Sequence, residues 1–190
     1  MSVVREIETR TVAPLRPVRL GKFDAVLERR KDGAINIHAA QQLAKFNDTL
    51  AQPLEHWARA TPDRMFLAQR DAQGQWRKLS YGEVLGDVRR IAAALLRRDL
   101  SPDKPIVVLS GNDIEHALLA LAAMYVGIPY APISPPYSLM SSDFGKLRTI
   151  IDLLTPGLVF VNDGGPFARA LYATVPDSIE VVVARNPLGD

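Results

Sequence analysis

Apolar and polar positions along this chain change period part-way through, from short alternating runs at the front to a strand-and-helix alternation behind. Residues 23–30 and 34–38 are extended stretches joined at Lys31-Asp32-Gly33, where Asp-Gly supplies a hairpin turn. Residues 53–60 place Leu54, Trp57 and Ala58 on one side of a short helix, which Thr61-Pro62-Asp63 stops. Residues 65–70 and 75–79 predict a second hairpin, turning through Asp71-Ala72-Gln73-Gly74. Ser80 and Glu83 have the spacing of a capping box, so side chain and backbone donors satisfy each other at a helix start. Val84, Val88, Ile91, Ala92, Leu95 and Leu96 form the buried stripe of that helix, with Arg89, Arg90, Arg97 and Arg98 facing water.

The stretch 104–137 is the centre of the pattern. Ile106 to Leu109 is a β-branched apolar run, followed by apolar residues at helical spacing from Ile114 to Tyr125. Asn112 or Asp113 can cap this helix, and Gly127 can end it in the left-handed conformation. Its other side carries Leu119, Ala120, Ala123 and Met124, so it should be covered on most faces. A second apolar run, 128–133, meets a proline-rich turn at Pro135 and Pro136. Ser141 or Ser142 can cap a further helix with Phe144, Leu147, Ile151 and Leu154 inward, ended by Pro156-Gly157. Residues 158–161 are a third strand, Pro166 opens a helix as its first residue, and residues 179–183 are a fourth strand. Strands alternating with helices imply right-handed crossovers and an α/β fold with a mostly parallel, doubly wound sheet. The expected division is a mobile arm over 1–20, ribbons and a short helix over 21–79, and an α/β subdomain over 80–190, part of a larger domain.

Composition narrows the function classes. With 23 Lys+Arg against 21 Asp+Glu, the charge does not argue for nucleic acid or an anionic membrane. There is no cysteine, so disulfides, thiolate metal sites and a cysteine nucleophile are excluded. No leader-like segment or membrane-length apolar run is present, and the expectation is a cytoplasmic protein.

The chemistry of this segment is sparse. No two glycines are separated by a single residue, which excludes a G-x-G-x-x-G turn, and Gly145-Lys146 lacks the rest of a P-loop. Asn162-Asp163-Gly164-Gly165-Pro166 could aim amides at a ligand from the carboxyl end of a parallel strand, and a tight turn is the competing reading. His38, His56 and His116 lie too far apart for a local metal pattern. No G-x-S-x-G occurs, and Ser110-Gly111-Asn112 reads as a cap after a strand.

The segment LSGNDIEHALLALAAMYVGIPYAPISPPYS, with DFGKLRTIIDLLTPGLVFV after it, resembles the amino-terminal subdomain of AMP-forming acyl-CoA synthetases, and its wording is nearest to bacterial feruloyl-CoA synthetases. The resemblance runs from about Gly21 to Asp190. It implies an adenylate-forming ligase that uses ATP, Mg2+ and coenzyme A to convert an aromatic carboxylic acid to its thioester through an acyl-adenylate. It also implies that the catalytic motifs lie beyond Asp190, so that no catalytic or metal-binding residue is assigned here and the segment alone is inactive. Ser134, Pro135 and Tyr137, with Asp163, Gly164 and Gly165, would face coenzyme A, although relatives that use arginines after the third strand differ from this chain. The chief partner would be the remainder of the same polypeptide, and bare apolar surface with an open sheet edge would allow self-association. The competing class is a standalone, non-catalytic α/β binding module using the same two turns.

Overall fold

The computed structural model describes residues 24–188, and the arm expected over 1–20 lies outside them. The chain divides into two units between Phe46 and Asn47. In the first, β1 (Ala25–Arg29) and β2 (Ile35–Ala39) pair antiparallel with Arg29 opposite Ile35. Arg30 N–H donates to Ala34 O at 2.9 Å, Gly33 N–H to Arg30 O at 3.1 Å, and Gly33 has φ +84. This three-residue loop needs a left-handed residue at its last position, and glycine takes it at least cost.

The second unit opens with α1 (Ala51–Ala60), β3 (Met65–Arg70) and β4 (Trp76–Ser80), the strands forming a hairpin. Asp71 Oδ1 accepts from the amides of Gln73 and Gln75 and so fixes the hairpin loop. The capping box forms as the spacing predicts. Glu83 N–H donates to Ser80 Oγ at 3.3 Å and Ser80 N–H to Glu83 Oε2 at 2.7 Å, starting α2 (Tyr81–Leu95).

The rest is a four-stranded parallel sheet in the order β6-β5-β7-β8. Its elements are β5 (Ile106–Leu109), α3 (Ile114–Val126), β6 (Tyr130–Pro132), α4 (Pro136–Leu139), α5 (Gly145–Leu154), β7 (Leu158–Val161), α6 (Gly164–Thr174) and β8 (Glu180–Val183). Side chains alternate across the strands, so Ile106, Val108, Leu158 and Phe160 pack with α1, α2 and α3 on one face. Val107, Leu109, Val159 and Val161 pack with α5 and α6 on the other. Every residue of β5 and β7 is buried, the continuous apolar run expected of strands covered on both faces. No residue of α3 is exposed, and Asp113 caps it while Gly127, at φ +73, ends it. The doubly wound α/β architecture with antiparallel ribbons is therefore the one the sequence pattern implies. Among the described residues no helix is long and apolar enough to cross a membrane.

Several local expectations change. Leu96 is 65% exposed, because the helix ends at Leu95 and the chain leaves the stripe there. Arg98 is half-buried rather than free in water: its guanidinium holds Glu180 through two bonds of 2.8 Å and donates to Ala94 O at 2.9 Å, tying the end of α2 to β8. The proline-rich turn contains a single helical turn, α4, since Pro135 and Pro136 hold φ near the helical value. Pro166 is the third residue of α6, not the first, and is tolerated because a first-turn amide has no helical acceptor. Phe144 precedes α5 with φ +54, a position at which its ring is buried, and the amide of Phe144 donates to Ser141 Oγ. Leu154 is only partly buried.

The charged groups predict the acid limb of stability. The Tyr125 hydroxyl holds the Glu55 carboxyl below its ordinary 4.5, the Ser80 amide does so for Glu83, and Arg98 for Glu180. Burial pushes Glu115 up, but its ion pair with Arg77 outweighs this and the net direction is down. The Gly145 amide lowers Asp143 from 3.8. Folded values lie below unfolded ones, so the stabilisation is present above the unfolded value and is lost as pH falls through the folded one. Urea midpoints should hold level from pH 7 to about 5.5 and then fall towards pH 3, with Glu180→Gln flattening the fall. A loss confined to the range above pH 5.5 would contradict this assignment.

Candidate functional site at the carboxyl edge of the sheet

In an open parallel sheet, ligands collect where neighbouring crossovers leave in opposite directions, outside the carboxyl ends of the strands. With the order β6-β5-β7-β8, that point lies between β5 and β7. The two loops there are 110–113 and 162–163. They are stitched together by their own side chains, since Asn162 donates from Nδ2 to Asp113 Oδ2. The other oxygen of Asp113 accepts the His116 amide at 2.7 Å, which makes Asp113 both the cap of α3 and the partner of β7's end. Ser110 Oγ lies 2.7 Å from His116 Nδ1 and donates to Gly111 O at 3.0 Å. Arg185, beyond β8, donates from Nε to Asn162 O at 3.4 Å.

The expected site residues fall into two neighbouring groups. Ser134 O accepts from the Tyr137 amide at 3.0 Å, and Pro135 caps α4, so the first turn is locked by its own backbone. Tyr137 is half-buried against the core, with Lys146 Nζ 4.5 Å from its ring centroid. In the second turn, Asp163 Oδ1 accepts from Gly165 N–H at 3.1 Å and from Asn186 Nδ2 at 3.0 Å. Gly164 is buried and its amide donates to Arg185 O at 2.9 Å. Packing of α4 on α6 brings the two turns onto the same side of the sheet. The amides of Gly164 and Gly165 are thus both bonded within the protein, and Pro166 has none. That glycine pair serves a close approach: a Cβ on Gly164 would lie 2.1 Å from Asn186 O.

Local spacing did not reveal the cations beside these turns. Lys146 rests over Tyr137, and Arg169 lies 5.8 Å from the centroid of Phe144. Their basic character on the first turn of α5 and on α6 was visible, but only the packing of α4, α5 and α6 brings Lys146 onto Tyr137 and Arg169 onto Phe144. Among the described residues, no group of three or more His, Asp or Glu side chains could hold a metal ion. Among the described residues the edge is a braced scaffold, with hydrogen-bonding capacity largely consumed internally, and the Ser110–His116 pair has no carboxylate bonded to the imidazole to orient it.

A family comparison agrees with the architecture. The AMP-binding enzyme family matches residues 54–186, and this chain belongs to that family. It is 31% identical over 91 residues to tyrocidine synthase 3 of Brevibacillus parabrevis, a match covering 48% of this chain and 1% of that protein. Among solved structures, the fatty acyl-adenylate ligase from L. pneumophila superposes with a TM-score of 0.57 at 18% identity, over 72% of this chain and 23% of that one. The N-terminal domain of FACL13 from Mycobacterium tuberculosis gives a TM-score of 0.58 at 15% identity, over 73% of this chain and 34% of that one. At such identities the structures speak for the fold. The chain spans a few per cent of the length of the curated relatives it matches and about a quarter to a third of these solved chains.

Proposed function

We propose that this chain is the amino-terminal part of an ATP-dependent, AMP-forming ligase that joins an aromatic carboxylic acid, ferulate or a related hydroxycinnamate, to coenzyme A through an acyl-adenylate. The family match over residues 54–186 supports the AMP-forming ligase in this reading. The braced edge supports a scaffolding role within it, because the point where a nucleotide would sit in an open α/β sheet is bridged by Asp113 and Asn162. The described residues do not fit ATP phosphates or Mg2+: the glycine amides of α6 are bonded and no group of three metal-ligating side chains exists among them. Those groups would be held by other polypeptide of the parent.

In this reading coenzyme A would dock on the side of Ser134, Pro135, Tyr137, Asp163, Gly164 and Gly165. Contacts there would come from the exposed Ser134 and from the ammonium of Lys146 and the guanidinium of Arg169, which suit phosphate, rather than from the bonded amides. The aromatic acid rests on the resemblance of residues 104–137 to feruloyl-CoA synthetases. A second reading, activation of an amino acid, is favoured by relatives of the tyrocidine synthase kind.

The test is to express the complete open reading frame that carries this sequence and to measure pyrophosphate release across hydroxycinnamates, fatty acids and amino acids. Ferulate should be the preferred acid, with AMP release dependent on coenzyme A, and the double variant Lys146→Ala with Arg169→Ala should raise KM for coenzyme A without slowing adenylate formation. Preference for an amino acid with no use of coenzyme A supports the second reading. A frame with no acid-dependent pyrophosphate release leaves the non-catalytic binding module.

A further inference from the structure

A cleft of about 400 Å³ lies between β3 and the start of α3, apart from the two turns discussed above. Leu67 and Ala68 line it from β3, and Ala117 and Ala120 from α3, so its walls are aliphatic and small. Its polar groups are His116, Gln69, Asn112 and the carboxylate of Asp113. The imidazole's state follows from its partners. Ser110 Oγ donates its proton to Gly111 O, so Nδ1 of His116, 2.7 Å from that hydroxyl oxygen and 3.1 Å from the same carbonyl, faces two acceptors and carries the proton. In the neutral ring, Nε2 is then an acceptor, and no donor among the described residues is bonded to it. Gln69 uses Oε1 to accept the Ile114 amide at 3.0 Å, which leaves its amide N–H groups to donate.

Charge decides the ligand class. Asp113 and Glu115 sit at this helix start and oppose an anion. Both carboxylates are already engaged, Asp113 by the His116 amide and Asn162, Glu115 by Arg77, so neither is free to draw a cation. A neutral occupant remains. We propose that this cleft is a binding site for a neutral aromatic molecule bearing a hydroxyl, its ring between the alanines of α3 and Leu67, its O–H donated to His116 Nε2. The volume falls within the range of small-molecule pockets, and aliphatic walls with a few convergent polar groups are their usual lining. The inference does not rest on the ligase reading, although the cleft shares Asp113 with the bridge to Asn162 that reading invokes.

Phenol is the probe, added to the 190-residue chain and followed by amide and methyl NMR shifts. Saturable shifts should centre on Leu67, Ala117 and Ala120, with Kd of about 1 to 30 mM for so small a ligand. Anisole has the same ring but no O–H, and should bind about three- to tenfold more weakly, the worth of one net hydrogen bond. Ala117→Leu narrows the slot from a half-exposed position; it should weaken phenol at least about tenfold by overfilling, with the circular dichroism spectrum and melting temperature unchanged. Equal affinity for phenol and anisole would overturn the assignment, as would shifts scattered over the surface, no saturation, or indifference to Ala117→Leu.

Discussion

Gly164→Ala should destabilise the α/β unit by about 3 kcal/mol or more, whereas Gly165→Ala, one residue on, should be neutral or stabilising by up to about 1 kcal/mol. The two glycines look alike in sequence, but a Cβ on the first would meet Asn186 O at 2.1 Å and Val183 at 3.3 Å. A contact at 2.1 Å is with backbone, so relief requires moving the chain after β8 or the start of α6. Either movement strains the bond from the Gly164 amide to Arg185 O. A Cβ on Gly165 points at open space, with Asp163 Oδ1 at 3.5 Å as its nearest neighbour, and there alanine gains helix propensity. Urea denaturation of both variants checks the contrast. Equal midpoints would mean that residues 185 and 186 yield freely and that the close approach has no role in holding β8's end.

Asp113→Ala ranks second in expected effect, at about 2–4 kcal/mol. Two losses combine: the cap of α3, worth about 1 kcal/mol, and the acceptor for Asn162, whose buried amide would be left without its partner at about 1–3 kcal/mol. Asn162 is buried and its Oδ1 has no partner among the described residues, so the Nδ2 bond to Asp113 is the one that fixes this side chain. Asp113→Ser separates the terms. Serine can still cap the helix but does not reach Asn162, so about 1 kcal/mol of the loss should return. A shift below about 0.5 kcal/mol for the alanine variant would show that water replaces both bonds and that the two loops are not braced.

What could be read from the chain divides by the range of the interaction. The capping box at Ser80 and Glu83, the hairpin loop at Gly33 and the left-handed Gly127 depend on residues a few positions apart, and all are found where spacing places them. The sheet was legible for a related reason. Runs such as Ile106 to Leu109 and Leu158 to Val161 are apolar at every position, which only a strand covered on both faces accommodates. Pairings between distant residues left no local trace. Arg98 and Glu180 are 82 positions apart, so Arg98 reads as one of four solvated arginines until the fold brings β8 beside it. Asp113 and Asn162, 49 apart, likewise appear separately, as a helix cap and as part of a turn. Gly164 and Gly165 suggested an amide cradle. Both lie in the first turn of α6 rather than in a turn before it, and the crowding by Asn186 behind Gly164 was not foreseeable, because it is set by where the chain passes after β8.

The two outer strands of the sheet are chemically unequal. Just past β6, Ile133 donates inward to Val108 O, so the alternate position, Pro132, faces outward and has no N–H to offer. That strand is three residues long and ends in proline, a blunt margin on which another chain gains little. On the opposite margin, β8 reads Glu180-Val181-Val182-Val183, with every outward amide intact. Growth of this sheet is therefore directional: any additional strand, whatever polypeptide supplies it, has a complete hydrogen-bonding template on the valine side alone.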